Sequence, residues 1–434
     1  MNKARFLAVL AAAVICCSAC GAPSLRHKKE VNKLLAAGDF GAAAQKIEAA
    51  KKTEYSRRDS LLYQLDSAAV LHEAGQYAES DVRLNAAQRR MEDLFAQSVS
   101  GHAGRYLIND LAIPYQPPAY EQVLTHYYRA MNFLSQQDTN GALVEANRAV
   151  FFLDHLPAGP SQLWQNEPFT QYFMSLVFES AGKRDDARIA RARAAQSNPS
   201  AVQALSAKQP LQEQWGEVIL VHANGKVPLK KSKTFQVAWS QFWLWMDDPQ
   251  EGESTVSPEV QNAITTGLLG NSITVAYPVL EDQPYTVAAS EAVTEQGEVY
   301  RTQLLGDVAG AVHNDLKANE TSTLMRMALR AAAKRVAAVQ AKHAAAAAAK
   351  DNGVGEIAGL FVNILGVATE KADTRQWFTL PAEFRLTRFY VPAGTQNITL
   401  RLRDGNDKIV GEHLFEKVTV PAGGRVYLHY RTAK

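Results

Sequence analysis

The sequence predicts an α+β fold that is helical towards its N-terminal end and β at its C-terminal end. Three observations carry this. From about Ser24 to Pro199, apolar residues recur three and four apart with hardly any strand-like alternation. From Phe384 onward the chain breaks into short runs rich in β-branched and aromatic residues, separated by glycine-containing turns. Between these ends the two textures mix. The expected division is an export signal at 1–19, a helical array at 20–200, a mixed β/α region at 201–320, a helical segment at 321–371 and a small β module at 372–434.

At the N-terminus, Lys3 and Arg5 precede an apolar run from Phe6 to Ile15. About ten residues suit a signal-peptide core and fall short of the roughly 20 that a spanning helix needs. Small residues, Ser18 and Ala19, come just before Cys20. This stretch resembles the bacterial lipobox, with the departure that Cys17 stands where leucine is usual. The resemblance implies that Cys20 is the lipidated first residue of the mature protein. Gly21 in place of aspartate implies the outer membrane and a periplasmic setting. The alternative is ordinary signal cleavage near Ala19 or Ala22.

The three cysteines are Cys16, Cys17 and Cys20, so no thiol follows the proposed anchor and no internal disulfide can form there. Removing Lys3 and Arg5 from the 46 basic residues leaves 44 against 44 acidic ones. Such a balance gives no global signal for nucleic acid.

The helical part carries an internal repeat. Val31, Leu34, Gly38, Phe40, Ala43, Ile47 and Ala50 align with Ala68, Leu71, Gly75, Tyr77, Ser80, Leu84 and Ala87. Looser copies run through Ala130, Phe133, Gln137, Thr139, Ala142, Ala146 and Ala149, and through Ser175, Phe178, Gly182, Ala187, Arg191 and Ala194. The pattern resembles the tetratricopeptide repeat, which implies stacked helix pairs forming a solenoid with a peptide-binding groove. Tyr127, Met131, Tyr172 and Leu176, on the first helices of their pairs, are the groove candidates; inter-repeat packing is the competing use of each.

Between the second and third copies, residues 101–121 hold three prolines and Gly104, which exclude a continuous helix. Their apolar content predicts a loop ordered against the helices. Two runs, Tyr120 to Tyr128 and Ala368 to Pro381, resemble a family of bacterial envelope lipoproteins with tetratricopeptide-like repeats and no assigned activity. That resemblance covers nearly the whole chain. It implies a peptidoglycan or outer-membrane context, because family members resemble genomic neighbours of penicillin-binding-protein activators. It brings no catalytic residue with it.

In the mixed region, Gly216 to Val227 reads as a strand running into an Asn224-Gly225 turn. Phe235, Val237 and Trp239 alternate as in a strand, whereas Trp239, Phe242 and Trp243 fit helical spacing; Trp245 completes the cluster. Aromatic platforms stack on sugars, but core packing or a partner interface is the commoner use. Asp247 to Pro258 reads as a polar loop, and Ser272 to Leu280 and Tyr285 to Ala289 as strands.

Arg301 to Ala349 reads as helix, with a seam of Met325, Leu329, Ala332, Val336 and Val339 suited to another helix. Arg326, Arg330, Lys334, Arg335, Lys342 and Lys350 make it basic, either as a solvated face or as a surface for anionic headgroups. Gly353 to Thr369 is apolar but too short to span, so a buried helix is expected. Phe384 to Val391, Gln396 to Arg403, Lys408 to Phe415 and Arg425 to Tyr430 complete the chain as a β-sandwich-like module.

The ten histidines show no metal-ligand spacing, and no nucleophile elbow, phosphate loop or dinucleotide fingerprint is present. The expectation is therefore a non-enzymatic outer-membrane lipoprotein scaffold without catalytic, metal or cofactor residues. Its expected partner is a periplasmic or outer-membrane protein, with a homo-oligomer contact as a second use of its surfaces and no nucleic acid. The alternatives are a peptidoglycan- or lipid-binding protein, through the Trp239 cluster or the basic helix, and a cell-wall enzyme.

Overall fold

The computed structural model describes residues 23–99, 113–157, 159, 161, 164–206, 214–240, 262, 272–348 and 372–434. The chain is α+β. Its helical part is a run of pairs: α1 (Leu25–Ala37) with α2 (Phe40–Ala50), α3 (Ser60–Glu73) with α4 (Tyr77–Val99), α5 (Ala119–Ser135) with α6 (Thr139–Asp154), and α7 (Pro168–Ser180) with α8 (Arg184–Ser197). A short α9 (Pro199–Ala204) follows. Each helix packs on the next, and α5 also touches α3 and α7.

The turn within each pair needs one left-handed residue. Gly38, Gly75 and Gly182 supply it at φ 74°, 74° and 71°, and Gln137 occupies the same place at φ 62°. A Cβ there costs roughly 1–2 kcal/mol, so glycine is favoured and Gln137 is strained. Asp39 and Asp138 offset the turn by accepting from the backbone N–H of Ala42 and Gly141, each at 2.9 Å, as N-caps. Ala43, Ala68, Ala87, Ala142, Ala146 and Ala194 are buried where the helices approach.

The remaining elements are β1 (Trp215–Asn224), β2 (Leu229–Ala238), β3 (Ser272–Glu281), β4 (Ala289–Thr294), β5 (Val299–Arg301), β6 (Gln303–Asp307), α10 (Val308–Ala318), α11 (Glu320–Ala348), β7 (Glu383–Pro392), β8 (Gly394–Arg403), β9 (Ile409–Val420) and β10 (Arg425–Thr432). One sheet has the order β10-β1-β7-β6 and another β5-β4-β8-β9. β1 runs parallel to β10 and antiparallel to β7. β2 and β3 form a separate antiparallel pair, with α11 packed on it.

Several expectations are corrected. Asn224-Gly225 ends β1 but makes no hairpin, because β1 pairs with β7 and β10 and not with β2. Tyr285 to Ala288 is irregular and β4 begins at Ala289; Gln303 to Asp307 is a strand where helix was expected. Met325, Ala332 and Val336 pack with Val275 and Tyr277 of β3 and with Trp239 just beyond β2, so their seam faces the strand pair. The segment 372–434 does not stand apart as a module. Its β7 and β10 flank β1, and its β8 pairs with β4.

The first sheet lies between the helices and the second sheet. Ile219, Val221, Phe384 and Leu386 join the helical core, while Val218, Leu220, Phe389 and Val391 pack with Ala292, Ile398 and Leu400 of the second sheet. β1 is consequently buried on both faces, as its unbroken Val218-Ile219-Leu220-Val221 run requires. β10 divides its residues the same way: Val426, Leu428 and Tyr430 face the second sheet. Arg425, Tyr427, His429 and Arg431 point the other way, towards the helices.

Candidate functional site

The face shared by the first helices of the pairs is covered by the chain itself. Tyr127, Met131, Tyr172 and Leu176 are exposed by 1 % or less, so they form no open groove. The Tyr127 ring sits 4.8, 4.9 and 5.0 Å from those of Phe169, Phe173 and Phe384. Phe384 in turn stacks on Phe169 at 4.3 Å. The Tyr172 hydroxyl donates to the Leu205 carbonyl at 3.2 Å. The physical reason is that the segment before and within β7 offers what a bound peptide would: apolar rings and backbone donors.

That segment is fastened by buried polar and ionisable side chains. The Trp377 N–H donates to Glu121 at 2.9 Å, and Lys28 Nζ donates to the Thr374 carbonyl at 2.7 Å. The Thr379 hydroxyl donates to Asp66 at 3.2 Å. Arg375 clasps Asp373 through Nη2 at 2.7 Å and donates through Nη1 to Asp59 at 3.2 Å and to the Ile113 carbonyl at 2.8 Å. Burial raises the Glu121 carboxyl to about 7, against the opposing hydrogen bonds from Tyr115 and Trp377. Burial also lowers the Lys28 ammonium to about 8, against the attraction of Asp66. Tyr115, in the described part of the 101–121 segment, is buried and donates to Glu121 at 2.6 Å, so that loop is ordered against the helices there.

An open cleft of about 1320 Å³ lies between the helices and the β10–β1–β7 surface. Trp215, Tyr390, Tyr427, Arg184, Arg388 and Arg425 contribute to its walls. Glu217 holds Arg388 Nε at 2.5 Å and Arg425 Nε at 2.6 Å. Glu179 receives Arg425 Nη2 at 2.8 Å and pairs also with Arg388 and Arg191. Three arginines thus face two carboxylates. Burial alone would raise the Glu179 carboxyl, but the Arg191 hydrogen bond and the three positive charges outweigh it and hold it low. Sequence spacing gives no hint of this cleft, because its arginines and aromatics come from β1, β7, β10 and α8.

A second cluster joins α3 to β10. His72, Glu73 and His429 each place one ligand atom within 4.8 Å of the others. His429 Nε2 lies 2.9 Å from Glu73 Oε2 and His429 Nδ1 lies 3.1 Å from the Tyr127 hydroxyl. Burial, reinforced by the neighbouring His429, lowers the His72 imidazole to about 4. Histidine spacing along the sequence offers no metal-ligand set, and these three side chains converge only through the fold. Adjacency of His72 and Glu73 was visible, but the third member lies 356 residues away.

Trp239 is 6 % exposed and packs with Val237, Ile273 and Met325, so it presents no sugar platform. Arg330 is buried, which removes it from any headgroup-facing surface, whereas Arg335 is exposed. Cys20, Phe242, Trp243, Trp245, Asp247 to Pro258 and Gly353 to Thr369 lie outside the described residues, as do the side chains of Lys334, Lys342 and Lys350. Among the described residues, no helix is long and apolar enough to cross a membrane. Comparison with protein-family models, curated proteins and solved structures finds no match to this chain.

Proposed function

We propose that the chain is a non-enzymatic lipoprotein, anchored through Cys20 at the outer membrane and acting as a periplasmic scaffold for a protein partner. We read its helix pairs as a tetratricopeptide-like solenoid and its two larger sheets as a β-sandwich packed against it. One observation carries the partner reading: the cleft lined by Trp215, Tyr390, Tyr427, Arg388 and Arg425. Tryptophan, tyrosine and arginine dominate protein-interface hot spots because they combine large contact area with directional donors. The groove on the first helices is a poorer candidate, since Trp377 and Phe384 already fill it.

The test is site-specific photo-crosslinking in cells, with a photoreactive residue at Tyr390 or, as control, at the buried Tyr172. The reading expects one envelope protein captured from Tyr390 and none from Tyr172. A product of twice the chain mass would instead identify a second copy as the occupant. Capture from Tyr172 alone would put the partner in the groove and refute the cleft. Burial removes Trp239 and Arg330, one residue each, from the surfaces on which the glycan- and lipid-binding alternatives rest; sacculus pull-down of Trp239→Ala against wild type checks the former.

A further inference from the structure

The geometry points to a divalent-cation site formed by His72, Glu73 and His429, suited to a late first-row metal such as zinc. Two imidazoles and a carboxylate, without thiolates, match that class of ion. Zinc bonds of about 2.0–2.1 Å place tetrahedral ligand atoms roughly 3.4 Å apart. The three atoms here lie within 4.8 Å of one another, and the Glu73–His429 pair already stands at 2.9 Å. Closing the widest separation of 4.8 Å to about 3.4 Å asks for a side-chain movement of about 1.4 Å. His72 and Glu73 also form the last turn of α3, where the helix dipole favours positive charge.

The surroundings prepare His72 as a ligand. The Ser80 hydroxyl donates to the Ala68 carbonyl at 2.8 Å and so accepts from Asn132 Nδ2 at 3.0 Å. That turns Asn132 Oδ1 towards His72 Nδ1, 2.6 Å away. A carbonyl oxygen only accepts, so His72 carries its proton on Nδ1 and leaves a lone pair on Nε2. Metal-ligating histidines are oriented in this manner by a second hydrogen bond.

Independently of this, His72 Nε2 and Glu73 Oε1 are buried with no hydrogen-bond partner. Buried acceptors without a donor are costly, and a cation supplies what both lack. The Tyr127 hydroxyl oxygen would accept a hydrogen bond from the Nδ1–H of a ligating His429, leaving His429 Nε2 for the metal. Arg431, the remaining positive charge nearby, is held by the Thr432 and Leu380 carbonyls at 3.1 and 3.4 Å. With His72 and His429 both bound, the ion would clasp the last strand to the second helix pair.

The test uses the mature chain in detergent, stripped with a chelator and titrated with zinc chloride. Metal analysis after dialysis is expected to give one zinc per chain, and the melting temperature is expected to rise with zinc concentration. Glu73→Gln keeps the side-chain shape and loses the charge. It is expected to weaken binding at least about tenfold, the loss that even an outer-shell change produces. His413→Gln, on β9 against Tyr430 and away from the cluster, is expected to bind as wild type. No stoichiometric zinc would overturn the proposal. Unchanged affinity in a folded Glu73→Gln variant, confirmed by circular dichroism, would overturn it equally.

Discussion

Replacing Glu121 by glutamine should change how stability depends on pH. Glu121 stands in the first turn of α5, fully buried, and accepts from the Tyr115 hydroxyl and the Trp377 N–H. Burial raises its carboxyl from the ordinary 4.5 to about 7, with Lys230 opposing and Asp315 adding to the effect. Between those values the folded chain keeps a proton that the unfolded chain has released. Stability from this group is therefore full below about pH 4.5 and declines as pH rises through 7. A span of about 2.5 at roughly 1.4 kcal/mol each corresponds to about 3 kcal/mol. Glutamine keeps an acceptor for Trp377 and does not titrate. Urea denaturation of both proteins at intervals from pH 4.5 to 8 should show Glu121→Gln gaining about 3 kcal/mol on wild type across that range. Parallel profiles would refute the raised carboxyl and, with it, the tight closure of the 372–386 segment over α5.

Other substitutions follow from the same contacts. Arg375→Ala leaves Asp373 and Asp59 beside a lost buried cation and should cost about 3–5 kcal/mol by chemical denaturation; a loss below 1 kcal/mol would contradict the clasp. Gly75→Ala meets no atom within 4 Å, so its loss of roughly 1 kcal/mol should be conformational alone, while Gln137→Gly at the equivalent turn should shift the melting temperature upward. Cys20→Ser should move the protein from the membrane to the soluble fraction or leave it uncleaved; unchanged partitioning would remove the anchor.

The helical half was legible because its signals are local. Glycine at the turn, small residues four apart and an aspartate cap all lie within one helix pair, and even the departure at Gln137 kept its place. The sheets were legible as strands but not as partners, since β1 joins β7 and β10 across more than 150 residues of chain. In β10, Arg425, Tyr427, His429 and Arg431 alternate with apolar residues, which gives the strand one polar face. In the fold that face meets the helices through Glu179, Ser180 and Glu73. The same long-range closure hid the His72–Glu73–His429 cluster. Tyr127 and Met131 fit either a groove or internal packing in the sequence, because an apolar first helix looks alike whether a ligand or the chain's own strand covers it.

The segment from Arg375 to Leu386 fills the chain's own helical face, and amide hydrogen exchange on the intact protein tests this. The Trp377 N–H, bonded to buried Glu121, and the β7 amides to Leu386 should exchange as slowly as those of Val218 to Val221 in β1. Exchange of the Trp377 amide at the rate of an open loop would show that the segment does not cover this face.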